Sequence, residues 1–94
     1  MSVIDLNSRP ALAAHVRLQI DPVNGEPVLL FPEGLLVLNA TAHDIVLHCN
    51  GKTCVREIVT ALRGEYEIEE SVLRADAMEC LSDLLDRNLI VLKS

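Results

Sequence analysis

The stretch His15-Val16-Arg17-Leu18-Gln19-Ile20 alternates polar and apolar residues strictly, the pattern of a strand with one buried face. Asp21-Pro22 and Asn24-Gly25 follow with turn chemistry, since proline presets φ and Asn-Gly tolerates positive φ. Two more apolar runs come next. Val28-Leu29-Leu30-Phe31 stops at Pro32-Glu33-Gly34, and Leu35-Leu36-Val37-Leu38 stops at Asn39. Short runs separated by such punctuation predict an antiparallel meander of three strands. Pro32, Glu33 and Gly34 form its structural turn, with Gly34 the residue best able to take a positive φ.

After Asn39 the apolar period becomes helical. Asn39 or Thr41 caps a first helix, with Asp44 in a near capping-box position and Ile45, Val46 and Cys49 on its apolar side. Asn50-Gly51 ends it, Gly51 supplying the left-handed conformation. Thr53 caps a second helix striped by Val55, Ile58, Val59 and Leu62, with Gly64 as its stop. A third helix runs from near residues 69–71 to about residue 87, with Asn88 as its stop and Leu89-Ile90-Val91-Leu92 as an apolar coda. The order predicts an α+β domain, a three-stranded antiparallel sheet followed by three helices, with a helix-turn-helix inside it. Residues 1–14 read as an N-terminal tail whose attachment the pattern leaves open, and residues 15–94 as the single domain.

Composition narrows the function. With 94 residues there is room for one modest core, and with aromatics at 2% that core is aliphatic. Eight basic residues face 14 acidic ones, a net charge of −6 that argues against a nucleic-acid partner. The acidity concentrates in residues 65–94. In the third helix Asp76, Glu79, Asp83 and Asp86 fall within an arc of about 80°, a stripe read first as a solvated face. No run is long and apolar enough for a membrane span, and the chain reads as cytoplasmic, with reduced thiols at Cys49, Cys54 and Cys80.

Catalytic chemistry finds little support. His43, His48 and the three cysteines lack the paired spacing of a metal site, and Cys49 and Cys80 fall on apolar faces. Gly51-Lys52-Thr53 is the tail of a phosphate loop without its leading glycine, so a helix stop followed by a helix cap is the better reading. An acyl-carrier role lacks its serine setting. What remains is surplus apolar surface. The second and third strands are apolar on both faces, and three short helices cover one face of a small sheet more readily than two. In the third helix Met78 and Leu85 widen the apolar arc of Leu73, Ala77, Cys80, Leu81 and Leu84. Such a surface beside a strand edge accepts a further strand from a peptide or another subunit, unless residues 1–14 fold over it.

The blocks Leu29-Leu30-Phe31-Pro32-Glu33-Gly34, Leu38-Asn39, Cys49-Asn50-Gly51-Lys52-Thr53 and Arg74-Ala75-Asp76 closely resemble the pyrroloquinoline quinone (PQQ) biosynthesis protein D family, from about residue 9 to the end. The resemblance implies a winged helix-turn-helix-like precursor-peptide recognition domain, with neither catalysis nor cofactor. It implies binding of the PQQ precursor peptide and its presentation to a radical S-adenosylmethionine (SAM) enzyme that joins a glutamate to a tyrosine. In related recognition domains the peptide adds beside the third strand and packs on the third helix. Carried onto this chain, the acceptor edge is Leu35, Leu36, Val37, Leu38 and Asn39. The facing wall comes from Asp76, Met78, Leu81 and Leu85, with the flank of the helix left open. A homodimer pairing through the same edge and a degenerate DNA-binding winged helix are the alternative readings.

Overall fold

The computed structural model describes residues 4–93, so the first three residues of the expected tail, and Ser94, lie outside it. The alternating stretch and the two apolar runs form β2 (Arg17–Ile20), β3 (Pro27–Phe31) and β4 (Gly34–Val37), one antiparallel sheet in the order β2-β3-β4. Leu18, Leu29 and Leu36 are cross-strand partners on the face toward the helices. Leu29 is fully buried there. Phe31 pairs with Gly34 across a two-residue turn of Pro32 and Glu33. Gly34 takes φ 155°, while neither Pro32 nor Glu33 has a positive φ. The turn therefore follows the type I preference for proline at its second position and glycine at its fourth.

Helix α1 (Ala40–Leu47) is capped by Asn39, whose side chain accepts from the Ala42 N–H at 2.7 Å. Thr41 takes no part in that cap, and Asp44 instead accepts the Tyr66 hydroxyl, tying α1 to the end of α2. Helix α2 (Val55–Glu65) starts one residue later than expected. The Asn50 side chain holds the Lys52 and Thr53 N–H groups at 2.8 and 2.9 Å, which leaves Cys54 as N-cap, its N–H donating to Glu57 at 3.0 Å. Gly64 lies inside the last turn of α2 rather than stopping it. The helix ends where Tyr66, held by Asp44, turns extended. Helix α3 (Glu70–Asp86) ends at Asn88 as the pattern predicts, with φ 62°. Leu89 N–H reaches the Leu84 carbonyl and Asn88 N–H the Leu85 carbonyl, the two bonds of a Schellman motif.

A second sheet is absent from the sequence-based expectation. β1 (Arg9–Leu12), inside the 1–14 stretch, pairs antiparallel with β5 (Ile90–Lys93), the apolar coda. β1 carries no alternation and contains Pro10, so nothing local announces it. Its pairing lies at the far end of the chain, and the Asn50–Gly51 turn docks on its flank through Gly51 N–H to the Pro10 carbonyl. Gly51 takes φ 78°, the left-handed region that favours glycine, and packs closely on β1 and β5, where a Cβ would lie 3.1 Å from Lys93 Cγ. The core is aliphatic, with Ile45, Val55, Ile58, Leu62, Leu73, Leu81, Leu84 and Ile90 nearly inaccessible.

Candidate functional site

Strand β4 is a sheet edge. The Leu38 N–H donates to the Pro27 carbonyl at 2.9 Å, so by antiparallel alternation Leu36 and Leu38 turn their backbone groups toward β3. Leu35 and Val37 therefore turn theirs outward. Strand alternation sends their side chains to the face away from the helices, where they are 56% and 52% exposed. On that face their register partners are Leu30 and Val28, whose own partners in β2 are Arg17 and Gln19. The helices thus cover one face of this sheet; on the other, Leu35 and Val37 are exposed at the β4 edge, Val28 is buried, and β2 contributes the polar Arg17 and Gln19.

Immediately beyond β4 the chain enters α1 through Asn39, which lines an open groove of about 690 Å³. Thr41, Ala42 and Ile45 continue that wall. The opposite wall is the flank of α3 that carries Asp76, Glu79, Cys80, Asp83 and Asp86. All four carboxylate residues are exposed. Asp83 pairs with Arg87 at 3.0 Å, an exposed bridge of small worth. A smaller hollow of about 140 Å³ lies between Leu6, Arg56, Val59, Glu70 and Arg74.

The anticipated site residues divide. Asn39 and Asp76 meet across the groove, and Leu35 and Val37 stand exposed on the edge beside it. Leu36 and Leu38 point inward, the first half-buried and the second buried at 6% exposure. Leu81 has no exposed surface and belongs to the core. Met78 and Leu85 pack half-buried on the core about 180–200° around α3 from Asp76, on the flank away from the groove. Sequence reasoning missed Ala42 as a groove residue, since an apolar helix position looks the same whether it meets a core or a cleft, while Ile45, a core residue as its pattern implied, also lines the groove. It did register the acidic stripe, which forms a wall of the groove.

Two of the three thiols are held protonated by their surroundings. Burial, with Cys80 nearby, pushes the Cys49 thiol up to about 12. Burial, then the carboxylates of Asp83 and Glu79, push Cys80 up to about 11. Both stay protonated at neutral pH, and a thiol is a poor nucleophile beside a thiolate. Asp44 holds the Tyr66 hydroxyl above its ordinary range. Among the described residues no group of His, Cys, Asp and Glu is arranged to hold a metal ion, and no helix is long and apolar enough to cross a membrane.

Known proteins resemble this chain in sequence and in fold. The chain is 34% identical over 90 residues to the PqqA binding protein of Xanthomonas axonopodis pv. citri, covering 96% of this chain and 98% of that one. With the PqqA binding protein of Rhodopseudomonas palustris it shares 33% over 82 residues, 87% and 80% of the two chains. Its fold matches the solution structure of the PqqD truncation of Methylobacterium extorquens PqqCD, described as a functional, stand-alone recognition element for ribosomally synthesised and modified peptides. The TM-score is 0.81 at 26% identity, with 95% of each chain covered. A lasso peptide synthetase B1 complexed with its leader peptide shares the fold at TM-score 0.76 and 22% identity, covering 88% of this chain and 98% of that one. The family model described as Coenzyme PQQ synthesis protein D (PqqD) matches residues 26–90, and the chain belongs to that family.

Proposed function

We propose that this protein is a non-catalytic chaperone of PQQ biosynthesis that binds the PqqA precursor peptide as a strand along β4 and presents it to the pathway's radical SAM enzyme. The observation that carries the reading is the open edge of β4, where the backbone groups of Leu35 and Val37 turn outward two residues before Asn39 enters the groove between α1 and α3. An edge of this kind supplies backbone hydrogen bonds for affinity and neighbouring pockets for specificity. The names of the curated relatives support the choice of ligand. Cross-linking chemistry belongs to the enzyme. This domain raises the local concentration and fixes the direction of the peptide. The setting is the cytoplasm, where three free thiols stay reduced.

Titration of the ¹⁵N-labelled protein with PqqA tests the reading. The amides of residues 35–39 shift and the outward amides of Leu35 and Val37 become protected from exchange, while peptide mass is unchanged by this protein and SAM alone. Shifts confined to β2 or β5, or a cross-linked product without the enzyme, would sink it. A second copy of β4 would fit the same edge, and a dimer formed that way dissociates as peptide is added.

A further inference from the structure

We propose that the stretch of bound peptide lying in the groove is basic, with lysine or arginine side chains opposite Asp76, Glu79 and Asp83. The inference rests on the strand-addition reading above and adds the chemistry the peptide must carry. Three features support it. The groove continues the open edge, because Asn39 lines it only two residues after β4 ends at Val37. A strand laid along β4 lies beside Leu35 and Val37, and continued past Val37 it reaches the groove, where its alternate side chains face the carboxylate flank of α3.

The second feature is unrelieved charge. Asp76, Glu79, Asp83 and Asp86 follow one another at three- and four-residue spacings, where like charges repel. They run toward the C-terminal end of α3, whose carbonyl dipoles disfavour anions, and the last turn contains no basic residue. Arg87 relieves Asp83 alone. The facing residues Asn39, Thr41, Ala42 and Ile45 supply no cation. The third feature is that the field reaches into the groove itself, since Asp83 and Glu79 hold the half-buried Cys80 thiol up beyond the effect of burial. A cationic strand brings the countercharge that the described residues around the groove do not supply.

The test titrates PqqA into wild-type protein and into the triple variant Asp76→Asn/Glu79→Gln/Asp83→Asn, at about 50 and about 300 mM salt. Wild-type affinity weakens about tenfold across the salt step. The triple variant binds about tenfold more weakly at low salt and loses most of the salt dependence. PqqA with its lysines and arginines changed to glutamine binds both proteins equally, at the level of the triple variant. A melting temperature for the triple variant equal to or above wild type shows that lost binding is not lost folding. If the triple variant and the neutralised peptide bind like the originals at both salts, the groove does not read charge and the inference falls, leaving strand addition intact. If wild-type protein fails to bind PqqA at all, the functional reading falls and takes this one with it.

Discussion

Val37→Pro separates the edge of β4 from every other explanation of peptide binding. The Val37 N–H points away from β3, so proline there removes no bond within the sheet. Leu36, the residue before it, already lies in a strand, the conformation that a following proline favours. Folding should therefore survive with a small loss. The bound peptide loses one hydrogen bond worth about 0.5–1.5 kcal/mol, and its own carbonyl is left facing the proline ring, so the combined effect is about 1–3 kcal/mol. That is a rise in Kd of about 5- to 150-fold. Isothermal titration with PqqA measures it, and a thermal melt confirms the fold. Leu36→Pro is the informative contrast. Its N–H faces β3, so the same substitution one residue away breaks the ladder and should lower the melting temperature sharply. Wild-type affinity in a folded Val37→Pro protein would refute strand addition at this edge.

Two other substitutions probe the frame behind the site. Gly34→Val forces a β-branched residue to φ 155° in open space, so the cost is backbone strain of about 1–3 kcal/mol, read as a lower denaturant midpoint. Cys49 gives a pH signature. Its thiol is held protonated in the folded state up to about 12 against an ordinary 9.0, so the unfolded chain gives up its proton first as pH rises. Stability from this group is intact below pH 9 and falls by about 1.4 kcal/mol per pH unit toward 12. In urea melts at pH 8 and pH 10, Cys49→Ala should lose less stability between the two than wild type does.

The strands of the meander, the three helices and the stops at Gly34 and Asn88 were legible because each depends on local chemistry: alternation, turn residues, caps. Helix boundaries moved where a distant partner decided them. Tyr66, not Gly64, ends α2 because Asp44 on α1 holds its hydroxyl. The β1–β5 sheet was invisible for the same reason, as its two strands lie at opposite ends of the sequence and neither alternates. In the site, the exposed edge followed from apolar residues on both faces of β4. Which flank of α3 faces it did not follow. Met78 and Asp76 both border the buried stripe, and only the packing of α1 against α3 determines that Asp76 lines the groove.

The β1–β5 ribbon has an architectural consequence. Arg9 and Lys93 are register partners, so the first and last strands lie side by side in a sheet separate from the one whose edge is open, while Ile4 and Leu6 ahead of β1 are docked on the core. A protein joined behind β5 is tethered at this ribbon, in a sheet other than the one whose edge is open. A domain of this design can carry an added partner behind β5 without covering the strand edge it leaves open.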